Sequence, residues 1–345
     1  MVILTTLVIL TVWAMALSLN ASSASPVGGA QFGFGGYRIQ AHTTEIGAQW
    51  SVPTILGGSN TGGASTWIAA QNDQRQFIQI GTLENALGDQ AVYSVFWSDV
   101  EVGFHPQVMT AVSSGDTIKF GMVQTSQGWR LSYDDVTEHE HHSFLVAYGG
   151  GSTFDSAQWF QEDPTVGGVA VHVAYPVMAA PTFTHVTLND VAPRLEVKNG
   201  QVLMTANGVY LVPTAFSDDH FTFHNATGAA RQYMADIYPY DAALYPFDVS
   251  EFLHQSPSSA VLGKIDSTLH VLKNELRRQS WPTNAQSAVK GDEKFLSDYQ
   301  RLFGEFSVAP APLNPRELAR FKAVGLSDVA YPNALRHVLG LPPVS

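Results

Sequence analysis

The chain has 345 residues, of which 45% are hydrophobic and 14% are charged, and it contains no cysteine. This length and hydrophobic fraction allow one large domain with a smaller one and exclude a largely disordered chain, while the missing cysteines exclude disulfides, a thiolate nucleophile and a cysteine-ligated zinc site. Residues 1–229 hold 6 basic and 18 acidic side chains, a net charge of 6 − 18 = −12. That excess of negative charge argues against nucleic acid or anionic lipid as a partner.

The first 24 residues have the pattern of an export signal. Residues 2–19 are almost wholly apolar, and the sequence SSA at 22–24 offers a cleavage site with small residues. We therefore predict a signal peptide over residues 1–24 and a secreted, extracellular protein that has no membrane contact after signal removal. No Lys or Arg precedes the apolar run, and about 18 apolar residues can just span a bilayer. An uncleaved anchor that holds the protein on the outer face of the membrane is the alternative.

The next 200 residues or so read as short strands separated by turns. The β-like runs lie at residues 47–52, 65–70, 76–81, 91–97, 117–124, 129–133, 143–147, 169–175, 182–188, 209–212 and 220–223. Many evenly spaced strands without a helical period between them are typical of a sandwich or barrel rather than of βαβ units. We predict a mostly β domain, an antiparallel β-sandwich, over residues 31–227.

The pattern becomes helical after Gly228. Val261, Ile265, Leu269, Leu272 and Leu276 recur at a spacing of three to four residues, as in an amphipathic helix. The sequence therefore predicts a small α-helical C-terminal region over residues 228–345. Two roles stay open for this region: an accessory domain that packs on the sandwich, and a segment that covers a cleft until it is removed.

Several short motifs stand out within the strand-rich part. They are FGGY at residues 34–37, WSVP at 50–53, STWIAAQ at 65–71, FIQIGT at 77–82 and AQWFQED at 157–163. In order and spacing they resemble the glutamic peptidases (eqolisins), over roughly residues 33–190. The resemblance implies a concanavalin-like jelly-roll sandwich and the activity of an acid-acting endopeptidase.

The same resemblance implies a catalytic pair. The family's catalytic glutamine lies in a Gln-x-Gly step and its catalytic glutamate in an aromatic-x-x-Glu-Asp segment, which match Gln79 and Glu162. Glu162 would take a proton from the attacking water, and the amide of Gln79 would donate to the oxyanion. An ordinary carboxylate base would work best at about pH 3–5. We expect a polypeptide substrate, no cofactor, no metal and a monomer.

Residues around this pair are candidates for substrate binding. They are Trp67, Gln71, Phe96, Trp97, Asp99 and Gln158. Gln71 stands where the family usually has an acid, and the register of residues 93–99 is open. Either Phe96 and Ser98 or, after a slip of one residue, Trp97 and Asp99 take the places of the family's Trp and Glu, because a slip of one residue exchanges the two faces of a strand.

The sequence EHEHH at residues 138–142 looks like a metal site. On a strand, however, His139 and His141 would point to one face, with Glu140 and His142 behind them. We therefore expect an exposed hairpin tip rather than a metal site.

Two other functions remain as alternatives to a peptidase. The first is a catalytically silent β-sandwich that binds glycans or peptides at the cell envelope, which the departures from the family pattern favour. The second is a glycosidase, which needs two carboxylates about 5–10 Å apart across a groove. Glu162 has no evident carboxylate partner in its own strand.

Overall fold

The computed structural model of the protein describes residues 31–57, 61–74, 76–164, 174–196 and 199–228, with separate positions between 231 and 297. The predicted signal peptide and most of the predicted helical region lie outside these residues. In the part of the chain that is described, no helix is long and apolar enough to cross a membrane.

The described residues form sixteen strands. In chain order they are β1 (Gln31–Phe32), β2 (Phe34–Gln40), β3 (Glu45–Ser51), β4 (Gly62–Gln71), β5 (Phe77–Leu87), β6 (Gln90–Asp99), β7 (Gln107–Val112), β8 (Thr117–Thr125), β9 (Gly128–Asp135), β10 (Glu140–Val146), β11 (Ser156–Glu162), β12 (Thr182–Leu188), β13 (Gly200–Gln201), β14 (Leu203–Met204), β15 (Tyr210–Pro213) and β16 (Phe221–Asn225).

These strands form two sheets. One has nine strands in the order β1-β14-β15-β16-β12-β3-β8-β9-β10, and the other has seven in the order β13-β2-β11-β4-β5-β6-β7. Neighbouring strands are antiparallel, except for the parallel pair β1 and β14. The prediction of a mostly β, antiparallel sandwich is confirmed.

The main hydrophobic core lies between the two sheets. Trp50 of the nine-stranded sheet stacks on Phe120 at 4.3 Å between ring centroids and also contacts Phe183. Its indole Nε1 donates to Thr82 Oγ1 of the seven-stranded sheet at 3.0 Å. Large buried aromatic side chains of this kind contribute much of the hydrophobic stabilisation of a sandwich.

Strand β5 shows how the seven-stranded sheet acquires two different buried faces. Successive side chains of a strand point to opposite sides. Ile78 and Ile80 belong to the core between the sheets, so Gln79 and Gly81 project to the other side. We call the side that bears Ile78 and Ile80 the inner face, and the side that bears Gln79 the outer face.

The histidine-rich run forms the predicted hairpin tip. Strands β9 and β10 pair with each other, and the turn between them includes His139 at a φ of 58°. His141 bonds to Asp134, and His142 stacks on Tyr133 at 4.7 Å. Among the described residues there is no group of three or more His, Asp or Glu side chains that could hold a metal ion.

Candidate active site

Three neighbouring strands bring the motif residues to the outer face. Glu162 of β11 lies opposite Ser65 of β4, and Gln79 of β5 lies opposite Ala69 of β4. Trp67 is midway between Ser65 and Ala69 on β4. Because residues two apart on a strand share a face, Glu162, Trp67 and Gln79 all project from the same side of the sheet.

Two donors hold the carboxyl group of Glu162. Ser65 Oγ donates to Glu162 Oε2 at 3.0 Å, and Trp67 Nε1 donates to the same oxygen at 2.7 Å. The side chain is only 4% exposed. Both bonds end on Oε2, which leaves Oε1 for a water molecule or a substrate.

Burial also changes the acidity of this group. Desolvation raises the pKa of Glu162 from its ordinary value of 4.5 to about 8, and the nearby Asp163 carboxylate adds to the increase. The hydrogen bonds from Trp67 and Ser65 lower the pKa because they stabilise the charged form, but they do not outweigh the desolvation. Burial therefore favours the protonated form of Glu162 over the charged form.

Gln79 is held by the strand on its other side. Its Nε2 donates to Ser98 Oγ at 2.7 Å, while its Oε1 has no hydrogen-bond partner in the described part of the chain. An amide nitrogen carries two protons, so one N–H of Gln79 is left for a bound oxygen. Gln79 is 3% exposed and Ser98 is fully buried.

Within the described residues, no hydrogen bond joins Gln79 to Glu162. They belong to strands on opposite sides of β4, and their partners Ala69 and Ser65 are four residues apart on that strand. The register thus places the two side chains on a diagonal of the outer face with Trp67 between them. Any group that contacts both has to lie above Trp67.

The indole of Trp67 is enclosed by other aromatic rings. Phe34, Phe77 and Phe160 surround it at centroid distances of 6.1, 5.8 and 5.3 Å, in edge-to-face arrangements. The ring is fully buried, so it offers no exposed surface to a substrate. Its contribution is to fix the N–H that holds Glu162.

Two of the predicted substrate-binding residues form an amide pair. Gln158 Nε2 donates to Gln71 Oε1 at 2.7 Å, and each side chain is 1% exposed. Among the residues that the structure describes, Gln71 Nε2 and Gln158 Oε1 have no hydrogen-bond partner. The pair lies on the outer face near Gln79, because Gln158 is opposite Ala69.

The structure decides the register of β6, which the sequence leaves open. Phe96 pairs with Gly81 and Ser98 with Gln79, so these two side chains lie on the outer face. Trp97 and Asp99 point to the opposite face.

There Trp97 packs near Phe144, at 6.2 Å between centroids, and Asp99 Oδ1 accepts from the backbone N–H of Val102. Of the two candidates for each place, Phe96 and Ser98 join the site, whereas Trp97 and Asp99 do not.

A second buried carboxyl group lies directly behind this site. Glu84 of β5 is on the inner face and fully buried, and its Oε1 accepts from Thr82 Oγ1 at 2.6 Å and from Thr66 Oγ1 at 3.1 Å. Desolvation raises its pKa to about 8, although the hydrogen bonds from Thr82, Thr66 and Gln161 lower it.

Sequence reasoning missed Glu84. The signal that could have found it is the alternation along β5, which puts Glu84 on the same face as Ile78 and Ile80.

Comparisons with known proteins find similar structures but no matching sequence. No model of a known protein family matches the chain, and no curated protein matches it. A solved structure of scytalido-glutamic peptidase with a peptide-based transition state analog is 17% identical, covers 56% of this chain and 98% of its own, and gives a TM-score of 0.43. Aspergilloglutamic peptidase from Aspergillus niger is 19% identical over 48% of this chain and 99% of its own, with a TM-score of 0.39.

A protein of a different kind also resembles the sandwich. Ancestral congerin is 12% identical, covers 45% of this chain and 100% of its own, and gives a TM-score of 0.25. At such identities and TM-scores the likeness is one of overall architecture and says nothing about activity, because sandwiches of this type host unrelated functions.

Proposed function

We propose that the protein is an endopeptidase that uses Glu162 and Gln79. The observation that supports this most directly is the pair of donors on Glu162 Oε2, with Gln79 on the same face of the sheet. A carboxyl group fixed at one oxygen presents the other in a defined direction, which is what general acid–base catalysis requires. The motif resemblance to glutamic peptidases points to the same two residues.

The proposed reaction needs only these groups and water. Glu162 in its charged form takes a proton from a water molecule at Oε1 while the water oxygen attacks the peptide carbonyl carbon. The free N–H of Gln79 donates to the carbonyl oxygen as it becomes negative. Glu162 then gives the proton to the leaving nitrogen, the C–N bond breaks, and the carboxylate is restored.

The raised pKa changes the expected pH dependence. The ordinary pKa of glutamate, on which an optimum of about pH 3–5 rests, does not apply to a carboxyl group this deeply buried. Only the charged form of Glu162 acts as a base, so kcat/KM should rise with pH as this group ionises. We propose that this rise lies above pH 4.5 and extends towards pH 8, the range given by the shifted pKa.

The amide pair suits a polypeptide substrate. Gln71 Nε2 is a free donor and Gln158 Oε1 is a free acceptor, and a backbone peptide group offers one acceptor and one donor. We propose that the pair binds a peptide group of the substrate beside the scissile bond. Because both side chains are buried, the substrate must first displace whatever covers them.

We also propose that the protein is secreted and monomeric. The apolar run at residues 2–19 and the small residues at 22–24 support export.

A catalytically silent binding protein is the second candidate. The observation that favours it is that Gln71 and Ser98 stand where the resemblance expects acids, so fewer carboxylates surround Gln79 than in the family pattern. A glycosidase is less well supported, because Glu84 and Glu162 project from opposite faces of the sheet and cannot flank one glycosidic bond.

The test is digestion of an unfolded protein by the purified chain from pH 3 to pH 9. Glu162→Gln and Gln79→Ala are compared with Glu140→Gln, which changes an exposed glutamate at the hairpin tip. We expect cleavage by the wild type and the control, and a loss of about 100-fold or more in both site variants. Cleavage that survives both substitutions would place the activity elsewhere, and no cleavage by the wild type at any pH would favour the binding protein.

A further inference from the structure

A chain of hydrogen bonds crosses the core behind Glu162. It begins at Trp50 Nε1, which donates to Thr82 Oγ1 at 3.0 Å, and continues from Thr82 Oγ1 to Glu84 Oε1 at 2.6 Å. Thr66 Oγ1 lies 3.1 Å from the same Glu84 oxygen and 2.7 Å from Gln161 Oε1. This chain of hydrogen bonds therefore links the nine-stranded sheet to β5, β4 and β11 in turn.

The protons available in this chain of hydrogen bonds favour a protonated Glu84. The hydroxyl of Thr66 has one proton but two acceptors within reach, Glu84 Oε1 and Gln161 Oε1. A charged Glu84 would compete for that proton with Gln161. If Glu84 Oε1 carries a proton instead, it donates to Thr66, and Thr66 donates to Gln161. Each contact then has one donor and one acceptor.

The end of the chain lies next to the proposed catalytic carboxyl group. Gln161 directly precedes Glu162, and Thr66 is between Ser65 and Trp67, the two donors to Glu162. Thr66 and Gln161 are paired across β4 and β11. Neighbouring residues on a strand point to opposite faces, so the chain holds from behind the same short stretches that hold Glu162 in front.

We propose that Glu84, as a protonated carboxyl group, is a positioning residue that holds Glu162 in place through Thr66 and Gln161. The proposal rests on the proposed function, since it assigns Glu84 to the same site. Loss of the proton from Glu84 turns the Thr66 hydroxyl towards the carboxylate and removes the donor to Gln161. The strand that carries Glu162 is then no longer fixed on its inner face.

Among the described residues, the side chains that hydrogen-bond to Glu84 offer no counter-charge to its ionised form. Its hydrogen-bonding neighbours, Thr66, Thr82 and Gln161, are neutral. Burial raises the pKa of Tyr175, and the Glu84 and Asp163 charges add to the increase. Ionisation of Glu84 therefore adds an uncompensated negative charge beneath Glu162.

The first test compares substitutions along the chain. Glu84→Leu replaces the carboxyl group with an apolar side chain of similar size, and Thr66→Val removes the linking hydroxyl with little change of shape. We expect both to lower kcat about tenfold or more with little effect on KM, because a small displacement of Glu162 costs rate. Glu84→Gln should keep more activity, since its two amide protons can reach Thr66 and Thr82.

A matched control separates positioning from loss of stability. Thr184→Val removes the hydrogen bond from Thr184 Oγ1 to Gln49 O in the nine-stranded sheet and should leave kcat unchanged. Urea unfolding is measured for each variant, so that a lower kcat in a stably folded Glu84→Leu protein supports positioning. A wild-type kcat in both Glu84→Leu and Thr66→Val would overturn the proposal. If Glu84→Leu does not fold, Thr66→Val and Glu84→Gln decide the question.

A second readout does not depend on catalysis. The indole N–H of Trp67 donates to Glu162 and that of Trp50 donates to Thr82, and both can be followed by NMR with ¹⁵N-labelled tryptophan. We expect Thr66→Val and Glu84→Leu to shift the Trp67 resonance, whereas Thr184→Val does not. If the wild type cleaves no peptide, the proposed function fails while this shift still decides the positioning. An unmoved Trp67 resonance in both variants would contradict the inference.

Discussion

The acidity of Glu162 is set mainly by burial and then by its hydrogen-bond donors. Desolvation favours the neutral carboxyl group, and the donors Trp67 and Ser65 favour the charged one. Because burial has the larger effect, the pKa of Glu162 is raised to about 8. A residue of this kind is poised near neutral pH, where an exposed glutamate would already be fully charged.

Trp67→Phe should make Glu162 a weaker acid. The substitution removes the N–H that donates at 2.7 Å but keeps an aromatic ring among Phe34, Phe77 and Phe160. Since this bond lowers the pKa, its loss should move the pKa of Glu162 further upward. The ionisation can be followed by NMR of ¹³C-labelled glutamate or by the pH dependence of kcat/KM.

Trp129→Phe is the control for that experiment. Trp129 is also fully buried, but it lies in the core between the sheets, and no described residue hydrogen-bonds to its Nε1. Trp129→Phe should leave the pKa of Glu162 at its wild-type value. An equal shift in both variants would mean that the effect comes from general loosening and not from the hydrogen bond.

At the scale of an element, the close approach of β4 and β5 sets the position of the site. A Cβ atom on Gly81 would lie 2.0 Å from the backbone oxygen of Thr66 and 2.7 Å from the Cβ of Trp67. Only glycine allows the two strands to pair at this point. The Gln-x-Gly step therefore serves packing: the glycine lets Trp67 lie over β5, next to Gln79.

Gly81→Ala should push β4 and β5 apart and destabilise the protein by about 2 kcal/mol or more, because backbone atoms cannot yield as side chains do. Gly121→Ala on β8 is the matched control, since the nearest atom to its added Cβ is the end of the Ser132 side chain, at 2.8 Å. It should cost less than about 1 kcal/mol. Urea unfolding of the two variants measures the difference, and equal costs would contradict this account of Gly81.

The sequence of β6 does not specify which of its two faces lies beside Gln79. Phe96 and Trp97 are both large and aromatic, and Ser98 and Asp99 are both polar, so neither face of the strand is marked by its sequence. Pairing with β5 decides the matter, because Ser98 lies opposite Gln79. The register of β6 is therefore set by its pairing with β5 and not by its own sequence.

At the scale of the whole molecule, two buried carboxyl groups and the net charge act in the same direction. The pKa values of Glu84 and Glu162 are raised from 4.5 to about 8. A carboxyl group with a raised pKa in the folded state stabilises the fold fully below its unfolded pKa and loses that contribution as pH rises to the folded pKa. The charge of −12 at pH 7 adds self-repulsion.

We therefore expect the free energy of unfolding to fall between pH 4.5 and pH 8, by roughly 1 kcal/mol per pH unit for each of the two groups. Urea unfolding across this range measures the slope. The double variant with Glu84→Gln and Glu162→Gln should show a much flatter profile and greater stability at pH 8. A wild type whose stability rises with pH over this range would show that other groups dominate.

The limit of the sandwich can be tested by shortening the chain. The predicted boundary lies at residue 227, but Met234 is fully buried and Arg231 Nη2 donates to Gly208 O at 3.3 Å. A contact with the turn between β14 and β15 thus lies beyond residue 227. A chain of residues 25–236 keeps every described strand and these contacts, and it should unfold in one cooperative thermal transition. Truncation at 227 should lower its Tm.

The class of fold follows from the sequence and is confirmed by the structure, and the resemblance to glutamic peptidases points to the two residues of the proposed catalytic pair. The evenly spaced β-like runs predict strands without any tertiary information. The motifs around Gln79 and Glu162 are likewise local in sequence. The helical period after Gly228, which predicts a C-terminal region, falls largely outside the described residues and stays a prediction.

The tertiary structure decided which side chains surround that pair. Ser65 and Ser98 reach Glu162 and Gln79 only through cross-strand pairing, and the burial that raises the pKa of Glu162 depends on contacts from strands far apart in the chain. The sequence around Glu84 likewise does not show that this carboxyl group is buried between the two sheets. Burial and register are properties of the assembled sheets, because each requires a neighbour that local sequence does not specify.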